Sequence, residues 1–523
     1  MMRTCGNPGL GGKKRRNIEH RTSKCFRTGN EHRMLGSLKA AFLYRGAASL
    51  GGFMVALMTT VWLAGCAVGP NYSRPAAPVP AAYSGETNVW KVAEPQAHLP
   101  RGNWWVIFGD EDLNRLEIEA GAANQELKAA VAVFEQARAF VDVNRAGYFP
   151  HVDASPSFIR ERDSANRPIN GISTGVPRTF NTFTVPLDAG YELDVWGRVR
   201  RSVEAVRASA AASADDVETA RLSIQAEVAS DYFTLHALDA EIALLRSSVE
   251  VFRKSLELTR NRRAGGIATD LDVAQAETVL KTTEAQLPVT ILERVRVEHA
   301  LATLTGRPAS SFSEPEKSLD LEPPILPAGI PSELLERRPD IAAAERRMAA
   351  ANANIGVSKA AYYPKVELNG LAGFQSVSAG TLFDWPSRLW AIGPTINFPL
   401  FTGGLLRANL RQAEAAYDEV VARYRQNVLS AFAEVEDNLA AQQLLVTEHE
   451  AEAAALQSAQ KTLDIANNRY RAGLVTYLEV ATAQNAALDL ERTAVRLRGD
   501  QLVTTVALIK SLGGGWRAAE TTR

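Results

Sequence analysis

The sequence predicts a mainly α-helical protein with a small β part, built from two similar halves that are incomplete as a single copy. Three observations carry this. The stretch 261–276, with a glycine turn at Gly265-Gly266 followed by Thr269, Asp270 and Asp272, returns at 468–483, and the offset is constant (468 − 261 = 207, 479 − 272 = 207). Long alanine-rich segments without proline lead into both turns, over 199–263 and 405–471. Between 183 and 195 apolar and largely polar residues alternate strictly, the period of a strand with two unlike faces. A duplicated helical hairpin implies an object with internal symmetry.

Composition narrows the function. With 523 residues, 56.7 kDa and a net charge of -1, the chain lacks the basic surplus of a general nucleic-acid binder. The three cysteines are Cys5, Cys25 and Cys66, so the body of the protein has neither a disulfide framework nor a cysteine zinc site.

Residues 1–65 read as an upstream extension plus an export signal. An apolar run over 47–63 follows Lys39 and Arg45 and closes on Leu63-Ala64-Gly65-Cys66, the layout of a charged n-region, an h-region and a small-residue cleavage site. Met34 is then the expected true start. A basic nucleic-acid arm is the alternative for 13–27, and a membrane-spanning anchor the alternative for the apolar run. Leu63-Ala64-Gly65-Cys66 resembles a bacterial lipobox, which implies acylation of Cys66. More than one acyl chain holds a protein to a leaflet almost permanently, at roughly 0.8 kcal/mol per buried methylene. Ala67, where an aspartate would favour the inner membrane, favours the outer one.

The elements follow in order. Residues 66–103 form a lipid-anchored, proline-rich tail beginning Gly69-Pro70-Asn71-Tyr72, extended because proline fixes φ and removes a donor. The first repeat spans 104–310: helices opening at Trp104-Trp105 and marked by Leu113, Leu116, Ile118, Leu127, Val131 and Phe134, a β-hairpin at about 151–195, and a long helical hairpin with its tip at 264–270. A proline-rich linker, 311–332, leads to the second repeat at 333–513, with a β-hairpin at about 365–401 and a tip at 471–477; a tail of 514–523 follows. Both β-hairpins come after an aromatic-aromatic-proline stop, Tyr148-Phe149-Pro150 and Tyr362-Tyr363-Pro364. The long helices reach on the order of 95 Å and carry apolar stripes such as Ile242, Leu245, Val249, Phe252 and Leu256.

Four strands cannot close a barrel, and an open sheet edge in lipid leaves backbone groups unpaired at several kcal/mol each. Strands in a membrane must therefore be completed by other copies, and three copies give twelve strands. A small antiparallel sheet beside a soluble helical bundle is the alternative that alternation alone leaves open.

Taken together, the lipobox with Gly69-Pro70-Asn71-Tyr72, the Trp104-Trp105 opening, both aromatic-aromatic-proline stops and both glycine tips resemble the TolC-type outer-membrane efflux factors. They resemble in particular the lipoprotein branch serving resistance-nodulation-division pumps, the OprM or NodT lineage. The resemblance covers essentially the whole mature chain. It implies a homotrimer with a twelve-stranded transmembrane β-barrel and a periplasmic α-barrel in the outer membrane of a Gram-negative bacterium. Its implied partners are a periplasmic adaptor (membrane fusion protein), an inner-membrane pump and outer-membrane lipid. It also implies adaptor-docking tips at Gly266, Thr269, Gly473 and Thr476, and a periplasmic gate: Leu478 as apolar constriction, Glu479 as acidic ring, Tyr470 tying the coil to its neighbour, Asp270 and Asp272 contributing from the first tip. Many members carry a second aspartate where this chain has Thr482. From the residues alone, Gly266 and Gly473 permit the positive φ that ends a helix, and Thr269 and Thr476 are placed to cap the next one.

No enzyme is expected, and no cofactor or metal. His449-Glu450 begins like a zinc-protease helix, but Ala453 stands where the second ligand belongs. Two functions from different classes follow: a passive exit duct for efflux, or a non-conducting coiled-coil scaffold lipoprotein of the envelope.

Overall fold

The computed structural model describes residues 67–76, 102–166, 168–169, 172–173, 178–319, 321–324 and 338–514. A 3-10 turn at Trp104–Phe108 leads to α1 (Glu111–Ala123) and α2 (Gln125–Arg145). Asp110 caps α1 by accepting from the N–H groups of Asp112 and Leu113, and Asn124 caps α2 by accepting from Leu127 N–H at 2.9 Å. Trp104, Trp105, Phe108, Leu113, Leu116 and Leu127 are buried in one core with Phe233 and Leu301. Ile118 and Val131, which mark the same helices, are exposed. Within one copy the apolar stripe is wider than the core it meets.

The sheet has four staves. β1 (His151–Ala154) and β2 (Ser157–Arg162) both pair antiparallel with β5 (Thr179–Leu193), which pairs with β6 (Lys365–Ser376), which pairs with β7 (Arg388–Asn397). A two-residue pair, β3 (Pro168–Ile169) and β4 (Ile172–Ser173), lies in the connecting loop. β1 and β2 keep one register against β5, from His151 opposite Gly190 to Arg162 opposite Thr179. They are one stave interrupted where Pro156 and, on the facing strand, Pro186 remove ladder donors. The strand expected over 183–195 starts four residues earlier and ends at Leu193, before Asp194 accepts from the N–H groups of Val199 and Arg200 at 2.9 Å each.

Two helical hairpins complete the fold. α3 (Arg198–Ala264) and α4 (Asp270–Leu304) form the first; α5 (Pro339–Ala360) precedes the second stave pair, and α6 (Leu405–Arg471) with α7 (Tyr477–Ser511) forms the second hairpin. Both long helices have 67 residues and both return helices 35, and every boundary recurs after the same 207 positions: Arg198 and Leu405, Ala264 and Arg471, Asp270 and Tyr477, Leu304 and Ser511. At roughly 1.5 Å per residue, 67 residues reach about 100 Å. The predicted stripe of α3 is buried throughout, from Ile242 to Leu256. Among the described residues no helix is long and apolar enough to cross a membrane.

Residues 67–76 run along the body in extended conformation; the rest of the expected tail to residue 101 lies outside the described residues. Val68 N–H donates to the Trp196 carbonyl (3.0 Å), Arg201 Nη2 to Asn71 Oδ1 (2.8 Å), and Asn352 Nδ2 to the Pro70 carbonyl (3.0 Å). Gly69, at φ 109°, lies so close to Gly356 that a Cβ would come within 2.5 Å of its Cα. The linker after α4 is fastened as well: Arg294 donates to Asp239 Oδ1 and to the Glu314 carbonyl, and Lys317 Nζ reaches Asp110 Oδ2 at 2.8 Å.

Candidate functional site: a two-faced sheet and a paired helical tip

Side chains directly opposite in a ladder share a face, so the register sorts the sheet. One face carries the rows Leu193–Val366–Ile396, Tyr191–Leu368–Pro394, Ala189–Gly370–Ile392, Leu187–Ala372–Trp390 and Val185–Phe374. Val152, Ala154 and Phe158 extend it across β1 and β2, with the Phe158 and Phe183 rings 4.7 Å apart. The other face carries Glu192–Glu367–Thr395, Gly190–Asn369, Asp153–Asp188 and Thr184–Gln375. Polar bonds run along it, Asn369 to Thr395 Oγ1 at 3.0 Å and Ser155 to Asp188 at 3.1 Å. Trp390, Ile392 and Ile396 are exposed, and the outer edges of the β1/β2 stave and of β7 have no partner strand among the described residues. Such a sheet suits a membrane wall and is unstable as an isolated one, because an apolar face and two bare edges meet water.

At the opposite end both long helices stop in the same way. Gly266 (φ 75°) bonds back to the Arg263 carbonyl and Ile267 to that of Arg262; Gly473 (φ 74°) bonds to that of Tyr470 and Leu474 to that of Arg469. Each pair of bonds satisfies the last carbonyls of its helix through a left-handed glycine. Thr269 then forms a full capping box with Asp272: its Oγ1 accepts from Asp272 N–H, and its own N–H and O–H donate to Asp272 Oδ2 at 2.8 Å.

The second tip departs from the expected pattern. Thr476 occupies the cap position, but its side chain makes no capping bond. The first free donor of α7 is taken instead by the other hairpin, where Asp272 Oδ1 accepts from Tyr477 N–H at 3.0 Å. Asp272 therefore closes its own helix and ties the two hairpins together. Burial works against its ionisation, yet the Thr269 and Tyr477 backbone donors outweigh that and hold the carboxyl below its ordinary value.

The other predicted tip residues divide into buried and exposed. Tyr470 is buried, edge-on to Tyr477 at 5.4 Å and beneath the Arg262 guanidinium at 4.9 Å, so it ties the second coil to the first. Asp270 is exposed and paired with Arg263. Leu478, 55% exposed, and Glu479, whose carboxylate stands 3.4 Å from Arg469, point away from the protomer's core, and Thr482 bonds back to the Leu478 carbonyl. Cys66 lies outside the described residues; Ala67 follows it and stands against Gly197 at the strand-to-helix junction.

Sequence reasoning missed the groups that join the hairpins. Tyr477 O–H donates to Gln484 Oε1 at 3.0 Å and lies 3.1 Å from Ser255 Oγ; Arg262 Nη1 donates to the Arg471 carbonyl at 3.0 Å. A tyrosine as first residue of α7, where its ring is fully buried, was the one available signal. Among the described residues no cluster of His, Cys, Asp and Glu is placed to hold a metal.

The chain matches the model of the family described as outer membrane efflux protein over residues 118–307 and 330–514. It is 34% identical over 470 residues to outer membrane protein OprJ of Pseudomonas aeruginosa, covering 88% of this chain and 95% of that one. The toluene efflux pump outer membrane protein TtgF of Pseudomonas putida is 32% identical over 474 residues, covering 88% and 96%. Among solved structures, the Campylobacter jejuni CmeC outer membrane channel superposes with a TM-score of 0.80 at 27% identity, over 87% of this chain and 97% of that one.

Proposed function

This chain belongs to the outer membrane efflux protein family, and from that premise we propose that three copies close into one duct, a twelve-stranded barrel in lipid above a helical barrel in the periplasm. Its function is that of the outer-membrane part of an efflux pump, a passive exit in the outer membrane of a Gram-negative cell. The observation that carries the trimer is the four-stave sheet with its apolar face and two free edges. Closure pairs β7 of one copy with the β1/β2 stave of the next, leaving no edge in the hydrocarbon.

The duct has no motor of its own, so a periplasmic adaptor and an inner-membrane pump of the resistance-nodulation-division type deliver the cargo. One relative is named for toluene, an apolar solute; drugs and other small molecules are the cargo class proposed here. The adaptor docks on the ring of tips built from Gly266, Thr269, Gly473 and Thr476.

The gate sits at the second tip. Leu478 forms an apolar constriction and Glu479 an acidic ring, since three like carboxylates near an axis attract cations and repel one another. The first tip, closed by its own capping box, is the fixed jamb. Opening swings α6 and α7 outward and breaks the Asp272–Tyr477, Arg262–Arg471 and Arg262–Tyr470 contacts. The lipid anchor is Cys66. Its neighbour Ala67 rests at the junction of β5 and α3, which supports an anchor entering the inner leaflet beside the sheet.

Purified protein in planar bilayers tests this reading. Wild type conducts in small steps, and Leu478→Ala with Glu479→Ala widens them and lowers cation preference. A trimer that never conducts, with or without those changes, overturns the duct and favours the scaffold. Cys66→Ala folds normally and releases more readily from membranes; an unlipidated wild type by mass spectrometry overturns the anchor.

A further inference from the structure

The apolar face of the sheet ends in arginines. From Leu193 to Phe183 along β5 the face is continuously apolar, about 25 Å of height for the ten steps between them at the usual rise and tilt. Beyond it, on the same face, stand Arg160 opposite Asn181 and Arg162 opposite Thr179. Arg388, opposite Phe374, opens β7 at its outward end. All three are exposed, and none has a carboxylate partner among the described residues. Arg388 lies over the Trp385 ring at 4.0 Å and donates to the Trp385 carbonyl. Trp385 and Phe383 are themselves exposed, and Phe383 packs edge-on to Phe374.

A cation facing lipid without a partner is costly except where it meets an anion at the interface. At the opposite, periplasmic end of the sheet the cations Arg198 and Lys365 stand with Glu192 on the polar side and are both paired with it. At the outward rim Arg160, Arg162 and Arg388 have no carboxylate beside them among the described residues. Closure of the barrel makes the pattern sharper, because the two free edges are the ones that carry these residues. Each seam brings Arg388 and Trp385 of one copy beside Arg160 and Arg162 of the next.

We propose that each seam is a binding site for a phosphate-bearing lipid of the outer leaflet, with the three guanidinium groups taking the phosphate and the Trp385, Phe383 and Phe374 rings taking the upper acyl chains. Guanidinium forks match phosphate oxygens in pairs, and an indole face keeps the fork oriented. The site rests on the trimer reading, since half of it comes from each of two copies. An occupied seam is pinned from outside, so the lipid also strengthens the trimer.

Native mass spectrometry of the full-length trimer tests it, with a diphosphorylated hexa-acyl glycolipid, the same lipid stripped of phosphate, and phosphatidylethanolamine as probes. Wild type is expected to retain the diphosphorylated lipid at least about tenfold more strongly than the other two, the factor for roughly 1.4 kcal/mol of charge-assisted bonding. Arg160→Gln, Arg162→Gln and Arg388→Gln together should abolish that preference. The charge-matched set Arg138→Gln, Arg221→Gln and Arg253→Gln, on the helices, should keep it. Equal retention of the phosphorylated and stripped lipids by wild type, or an unchanged preference in the rim variant, overturns the proposal while leaving the trimer standing. A wild type with no trimer at all overturns the barrel reading beneath it.

Discussion

The two halves of this chain share a geometry and differ in what they face. α3 and α6 have identical lengths and matching boundaries, yet twenty-four residues of α3 are buried and only nine of α6, so the duplicated helix was given two different environments. α3 is packed mainly by α1, α2, α4, α5 and α7; α6 is packed mainly by α5 and α7, touching α3 at the tip. The remaining side of α6 exposes Leu429, Leu444, Val446 and Ile465, and α2 exposes Val131, Val133, Phe140 and Val143. These are the surfaces that the proposed trimer covers. The lesson is that duplication fixed the length and ends of the elements, while substitution inside each copy decided which became interior and which became seam.

The polar interior tells the same story. Asp239, buried, accepts from Arg294 and stands 2.9 Å from His236 Nδ1, and Arg294 binds the linker at Glu314. The positions 207 later are Gln443, Val446 and Gln501, with no such network. Breaking the buried pair is therefore the largest test: Asp239→Ala should cost about 3–5 kcal/mol in thermal or denaturant unfolding. Val446→Ala, at the matching position on α6, should leave protomer stability nearly unchanged. Equal losses at both sites would break the comparison.

The tips sharpen it. Asp272 and Glu479 are repeat counterparts, one buried in three backbone and side-chain bonds, the other exposed. Asp272→Ala orphans the N–H groups of Thr269 and Tyr477 and should cost about 2–4 kcal/mol, seen as faster amide exchange at both tips and as higher conductance. Acidity should act on the same contact. Because the folded Asp272 carboxyl lies below its ordinary value of 3.8, its stabilisation is complete above that value and fades as pH falls through the folded one. Tip exchange should quicken in that acid window in wild type and not further in Asp272→Asn. Glu479→Gln is the mildest change: within about 0.5 kcal/mol in stability, as for other exposed ion pairs, with reduced cation selectivity as its main effect.

Much of this architecture was legible in the residues because it is written in short-range signals. Left-handed glycines, alternation over 183–195 and proline stops each act within one element, and the repeat doubled every signal. What escaped was cross-element chemistry. The Asp272–Tyr477 bond joins positions 205 apart, and no local pattern marks it; seen alone, Thr476 looks like an ordinary cap. The split of the first stave needed Pro156 and Pro186 to be known as cross-strand neighbours. Ile118 and Val131 fit a helical stripe, and periodicity does not say whether a stripe meets the same chain or another copy. The gate reading drew on resemblance for Leu478 and Glu479, whereas the buried half of the tip, Tyr477, Arg262, Gln484 and Ser255, came only with the fold.

The central claim is that a lone protomer is an unfinished object whose apolar wall and bare seams are sealed by two more copies. The mass of the particle extracted from outer membranes in mild detergent, measured by native mass spectrometry, addresses it most directly. Three copies per particle, with Leu444→Glu on the α6 seam shifting the population to intact monomers, is the predicted result. A wild-type particle of one copy, stable in water without detergent, would contradict it.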